Sequence, residues 1–345
     1  MRERLCSRLV VAGLLLVSPL LLAAGTDEEG RAVEVFRFAD PEIVESSGLV
    51  VTDEHVVTVN DSGDSGRIFT VDLATGETVG VTRWTPDPVD VEALAPAGAG
   101  HVWVADIGDN TRRREEIELL RVPFGPGDRT AEPERYRLAY PGPAADAETL
   151  LAHPETGRLF VVTKNVFGGT VYAAPSLLEA EGLNRLREVG TVVGIATDGA
   201  FFPDGRHLIV RTYARAVVYT FPELEAVDSF ATPRQEQGEG IAVAPDGRVY
   251  VSSEGVRSPF LRLRLPETAR RALDGSPQDE SPQEGAPQDG ASAGASPPPT
   301  VEPEEPEGFV DAEGEPFRRD PWPWVAGGLV GVVAVVVLLR SLRPH

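Results

Sequence analysis

The sequence predicts an all-β fold, a β-propeller of four-stranded blades, and three observations predict it. Short apolar strands recur in groups of four at a spacing of roughly 40 to 55 residues. The first and second strands of a group are joined by glycine turns such as Pro203-Asp204-Gly205, Pro245-Asp246-Gly247 and Pro154-Glu155-Thr156-Gly157, which is hairpin chemistry. The last group lacks its outer strand, and an unpartnered strand stands before the first one. Five groups can be laid out, with a sixth blade possible if a long connection conceals it.

Taken in order, the unpartnered strand is V-E-V-F-R-F at 33–38. The first group is S-G-L-V-V at 47–51, H-V-V-T-V at 55–59, R-I-F-T-V at 67–71 and T-V-G-V-T-R-W at 78–84. The second reads V-E-A-L-A at 91–95, H-V-W-V-A at 101–105, I-E-L-L-R-V at 117–122 and R-Y-R-L-A-Y at 135–140. The third reads A-E-T-L-L-A at 147–152, R-L-F-V-V-T at 158–163, T-V-Y-A-A at 170–174 and a weaker strand at 188–193. The fourth has G-A-F-F at 199–202, H-L-I-V-R at 207–211, A-V-V-Y-T-F at 216–221 and A-V-D-S-F at 226–230. The fifth stops after G-I-A-V-A at 240–244, R-V-Y-V-S at 248–252 and F-L-R-L-R-L at 260–265. Strand 33–38 is expected to complete it, because closure removes the exposed edges of the first and last blades.

Composition separates the ends from this domain, which is assigned to residues 26–271. Residues 1–25 combine Arg2, Arg4 and Arg8 with an apolar run and Ala23-Ala24-Gly25, the layout of a secretory signal peptide. Cleavage after Ala24 or Gly25 would remove Cys6, the only cysteine, and leave no disulfide or thiol chemistry. Residues 272–316 hold 12 acidic residues, nine prolines and no basic residue. The segment 272–321 therefore reads as an extended, self-repelling stalk. Trp322 to Leu339 is 18 residues without a charge, about 27 Å as a helix against a hydrocarbon core of about 30 Å. With Trp322 and Trp324 at one end and Arg340 and Arg343 at the other, it is expected to be a single transmembrane helix followed by a short cytoplasmic tail, 340–345. The expected location is the cell membrane, with a monomeric propeller outside.

Of the net charge of −22, residues 1–25 carry +2, 272–316 carry −12 and 317–345 carry +3, leaving −15 on 26–271. A domain this acidic is a poor partner for nucleic acid. His101, His153 and His207 fall at or beside the first turn of their blades, all on one rim and in different blades, so a histidine metal site or base is not expected.

The opposite rim collects the unusual residues. There the loops after the second strands meet the entries to the first strands, which carry Glu45, Asp90, Glu92, Asp146, Glu148, Asp198 and Glu239. Like charges crowded at a narrow channel repel unless a cation or an arginine intervenes. A calcium ion, which takes about six to eight oxygens, is one answer, with Asp90, Glu92, Asp106, Asp109, Asn110, Asp146 and Glu148 as candidate ligands. The other answer is structural: these carboxylates cap strand ends, accept loop N–H groups and pair with Arg112, Arg211 or Arg215. The loop Asn60-Asp61-Ser62-Gly63-Asp64 adds Asp61 and Asp64 as candidate ligand-binding residues, and Lys164, Arg211 and Arg215 are cations able to hold an anionic group. No nucleophile elbow, phosphate loop or zinc motif is present.

N-D-S-G-D at 60–64, D-V-E-A-L at 90–94, V-A-D-I-G-D-N at 104–110 and D-A-E-T-L at 146–150 resemble the blade phrases of exported bacterial propellers of the phytase-like, esterase-like and regucalcin-type lactonase families. The resemblance spans residues 33–266. It implies a calcium ion at the channel mouth and hydrolysis of phosphate or ester bonds, although five blades depart from the six of those families and no basic phosphate cleft is present. Two functional expectations result: a membrane-anchored extracellular propeller binding a ligand or protein partner at an acidic mouth, or a calcium-dependent hydrolase of a small phosphoester, ester or lactone. A purely structural spacer would leave the loop carboxylates without a role.

Overall fold

A strand sandwiched between two neighbouring sheets must be apolar on both faces, and period-two alternation then sends successive residues to different neighbours. His55–Asn60 shows this directly. Val56 joins the apolar cluster shared with Ala242, Tyr250 and Phe260, whereas Val57 and Val59 join the one shared with Val91, Leu94 and Val104. The computed structural model describes residues 32–61 and 63–275, and its strands follow this logic around a closed ring.

The chain begins with β1 (Ala32–Arg37). Blade one is β2 (Ser46–Val51), β3 (His55–Asn60), β4 (Arg67–Asp72) and β5 (Thr78–Arg83). Blade two follows as β6 (Val91–Pro96), β7 (His101–Asp106) and β8 (Ile117–Pro123); a short strand β9 (Arg129–Thr130) precedes its outer strand β10 (Glu134–Ala139). Blade three is β11 (Ala147–Ala152), β12 (Leu159–Thr163) and β13 (Gly169–Ala173), then β14 (Leu183–Arg185) and the outer strand β15 (Arg187–Val192). Blade four is β16 (Asp198–Phe201), β17 (His207–Arg211), β18 (Arg215–Thr220) and β19 (Ala226–Ala231). Blade five holds β20 (Ile241–Val243), β21 (Val249–Val251) and β22 (Pro259–Leu263), and a helix α1 (Glu267–Leu273) ends the described chain.

The blades number five, and no hidden sixth exists among the described residues. Inner strands touch in the order β2, β6, β11, β16, β20 and back to β2. Closure is the expected one: β1 pairs antiparallel with β22, from Ala32 opposite Leu263 to Arg37 opposite Pro259. Stacking of Phe36 on Phe260 (4.7 Å between ring centroids) and of Phe260 on Tyr250 (5.1 Å) fastens it. Five apolar clusters fill the five spaces between blades.

Two features differ from the expected four-strand plan. β9 pairs in parallel with β5, and β14 with β10, so the connections before the outer strands of blades two and three reach back to cover the edge of the preceding blade. These pieces are two and three residues long, too short to show alternation, and their partners lie in another blade. The folded domain also runs past its expected end at 271, since α1 continues to Leu273 and buries Ala269 against blades four and five. The expected signal peptide, transmembrane helix, tail and nearly all of the stalk lie outside the described residues. Among the described residues no helix is long and apolar enough to cross a membrane.

Candidate functional site at the acidic mouth

Each inner strand starts beside the end of its neighbour, as in the pairs Ser46 with Asn60, Val91 with Asp106 and Ala147 with Thr163. The strand entries and the loops that follow the second strands therefore share one face. In blades one to three the pairing then slips by one residue, and the extra residue is Ser47, Glu92 or Glu148. A bulge of this kind re-aims a side chain out of the alternating pattern. Asp198 and Glu239 occupy the matching places in blades four and five, giving a ring of four carboxylates and one serine.

The ring is closed on one side and open on the other. Ser47 Oγ donates to Glu239 Oε2 at 2.7 Å, and Thr197 Oγ1 donates to the Glu239 carbonyl at 3.0 Å. Asp198 is fully buried and accepts the N–H groups of Gly199 and Ile241, each at 2.8 Å. Lys164 Nζ donates to Glu148 Oε1 and to Tyr213 Oη, the latter at 2.8 Å. Burial alone would lower the lysine, but these hydrogen bonds outweigh it and hold the ammonium charged.

Glu92 has no such neighbour. It is 5% exposed and makes no hydrogen bond or ion pair with any described residue, while its carboxylate lies with those of Asp61 and Asp90 in a group whose oxygens fall within 4.8 Å of one another. Burial, then repulsion from Asp61, Glu148, Asp90 and Glu239, pushes Glu92 up to about 11. Burial and the charge of Asp61 raise Asp90 to about 6, and one of its oxygens, Oδ1, is buried without a hydrogen-bond partner. Asp61 also groups with Glu239 and Glu254, and burial with repulsion from Glu239 raises Glu254 to about 7. Gly108 leaves the space these groups use: a Cβ there would lie 2.5 Å from both Asp90 Cγ and Glu92 Oε1.

Most of the remaining candidates have partners of their own. Asp106 accepts the N–H groups of Val89 (2.8 Å) and Asp90 (2.9 Å) and pairs with Arg114 (2.7 Å). Asn60, at the same position of blade one, likewise accepts the N–H groups of Val44 (3.0 Å) and Glu45 (3.1 Å). Asp109 accepts from Arg114 N (2.7 Å) and Thr111 Oγ1 (3.1 Å), and Asp146 accepts from Asp109 N (2.9 Å). Such donors hold Asp109 below the usual carboxylate range despite the opposing effect of burial. Asn110 is exposed. Asp64 is held by Arg67 (2.8 Å) and Asn60 (2.9 Å). Burial raises Glu148 to about 8, with Lys164 pulling against it.

The cations do not meet. Arg211 is fully buried, donating to the carbonyls of Gly240 (2.7 Å) and Ser252 (2.8 Å) and to Gln235 Oε1 (2.6 Å). Arg215 is exposed and bonds Ser229 on β19. Only Lys164 of the three faces the mouth. Tyr213 and Glu254 also belong to the site without having been singled out; each lies in a loop after a second strand, as Asp61 and Lys164 do.

Asp61, Asp90 and Glu92 fit a hard divalent cation by chemistry, since they offer only oxygens and one is a buried orphan acceptor. A separate cavity of about 640 Å³, lined by apolar residues such as Leu49, Leu94, Leu150 and Phe201, lies at the other end of the channel beside His101 and His153, away from the carboxylates. No known family model matches the chain, and no curated protein matches it.

Proposed function

We propose that this protein is a binding propeller that captures a cationic ligand or partner at its acidic mouth, with calcium as the simplest such cation. The observation that carries this is Glu92, a carboxyl buried beside two others and supplied with no donor by any described residue. A buried carboxyl without a partner is costly, and a bound cation removes that cost. Export by residues 1–25 and anchoring by 322–339 belong to the same proposal and rest on the sequence pattern: the propeller stands outside the cell membrane on an acidic stalk, acts as a monomer and does not bind nucleic acid.

Titration of the purified protein with CaCl2, followed by calorimetry and thermal unfolding, tests the reading. Binding should raise the melting temperature, since a ligand at 100 times its Kd adds about 2.7 kcal/mol. Glu92→Gln should weaken binding at least tenfold, and His153→Gln, on the far rim, should leave it unchanged. Absence of binding at millimolar calcium would remove calcium as the ligand.

A second reading, calcium-dependent hydrolysis of a small phosphoester, ester or lactone, is favoured by one observation: Glu148 and Glu92 are both raised by burial beside the candidate cation site, as proton-transferring carboxyls are. Calcium would there polarise an oxygen of the substrate. Assay of p-nitrophenyl phosphate, p-nitrophenyl butyrate and a γ-lactone with and without CaCl2 distinguishes it from pure binding.

A further inference from the structure

The mouth carries apolar side chains as well as carboxylates, and a bare metal ion has no use for them. Phe167 (103% exposed) and Val166 (70%) project from the loop after β12. Ile195 and Tyr213 are exposed beside them: Ile195 N donates to Asn165 O at 2.8 Å, and Tyr213 Oη receives Lys164. Val89 and Val256 add exposed apolar surface at the entry to β6 and in the loop after β21. Exposed aromatic and aliphatic residues gathered on one face mark an interaction surface.

Charge and apolar surface are divided across this face. On the side of blades three and four, Lys164 neutralises Glu148 and Arg211 lies beneath, and there Val166, Phe167, Ile195 and Tyr213 cluster. On the side of blades five, one and two, Glu45, Asp90, Glu92, Glu239 and Glu254 form no ion pair with any described residue. A complementary ligand is positive at one end and apolar at the other.

Resting on the cation-binding reading above, we infer that the mouth recognises a polypeptide segment, a lysine or arginine entering the well of Asp61, Asp90 and Glu92 while an adjacent apolar side chain lies on Phe167 and Ile195. An Arg or Lys head meets carboxylates with charge-assisted hydrogen bonds, and aromatic residues around a buried charge are the composition of an interface centre. A polypeptide supplies both features at adjacent positions.

The test is selection of a random heptapeptide library on the full-length protein, followed by measurement of the selected peptide as a synthetic compound. The expected consensus has Lys or Arg next to an aromatic or aliphatic residue. Its binding should fall at least tenfold with Phe167→Ser and with Glu92→Gln. Calcium binding should fall with Glu92→Gln and stay unchanged with Phe167→Ser, which is fully exposed and leaves the fold intact. A consensus without a cation, no consensus, or binding indifferent to Phe167→Ser overturns the peptide inference while calcium binding still supports the underlying reading. Failure of calcium and peptides alike overturns both. Sedimentation with phosphatidylcholine vesicles that is lost in Phe167→Ser would assign the apolar surface to lipid and overturn the peptide assignment.

Discussion

Glycine 108 offers the cleanest single-residue perturbation of the mouth. Its backbone is not in the left-handed region, so alanine is allowed there, but the added carbon meets Asp90 Cγ and Glu92 Oε1 at 2.5 Å. The carboxylates must shift by about an ångström, an overpacking cost of about 1–3 kcal/mol. Gly108→Ala is therefore expected to weaken calcium binding severalfold, measured by calorimetry, while the far-ultraviolet circular dichroism of the folded protein stays the same. Arg211 acts on stability instead. Its guanidinium reaches from blade four to two blade-five carbonyls and to Gln235; the Gly240 carbonyl keeps the Ser252 N–H, but leaving the Ser252 carbonyl and Gln235 Oε1 bare costs about 1–3 kcal/mol each. Arg211→Met should lower unfolding free energy by about 3 kcal/mol in urea denaturation. The sequence placed Arg211 at the end of a second strand but not under the site, because its hydrogen-bond partners come from the next blade.

At the scale of elements, β1 decides whether the ring closes. It supplies the outer strand of blade five and the Phe36 ring that stacks on Phe260. Without it β22 presents an unpaired edge, a template for association. A chain lacking residues 26–38 is expected to elute as dimers or aggregates in gel filtration and to lose a single cooperative thermal transition. The sequence made β1 legible through what was missing elsewhere: blade five is one strand short and 33–38 has no local partner. The bulges at Ser47, Glu92 and Glu148 were not legible, because a slipped pairing leaves the apolar pattern of each strand unaltered.

For the whole molecule, protonation couples the mouth to stability. Asp90, Glu254 and Glu92 have values raised to about 6, 7 and 11, so above the unfolded-state range near pH 4 the native protein binds more protons than the unfolded chain. Stability then falls as pH rises. Asp64, Asp109 and Asp204, lowered by their hydrogen bonds against the effect of burial, act in the opposite sense, and their contribution is lost as pH drops below about 4. The calcium-free protein should melt highest near pH 5 and progressively lower from pH 6 to 8, with CaCl2 restoring much of the loss at pH 8. A melting temperature that rises from pH 5 to 8 in chelator would refute the crowded-carboxylate description. Calcium affinity should itself increase with pH, because binding displaces the protons of Asp90 and Glu92.

The sequence by itself determined the all-β class, the repeated blades, the closing strand and the face on which acidic residues gather. Each of these depends on period-two patterning and turn residues, which are local. Only the tertiary structure decided which carboxylates meet. Asp106, Asp109 and Asp146 carry the same charge as Asp90 and Glu92, yet the first three accept backbone N–H groups from their own or neighbouring loops, whereas Asp90 and Glu92 face each other and Asp61. A side chain at the mouth finds its partners in other blades, and loop hydrogen bonds have no period from which those partners can be read.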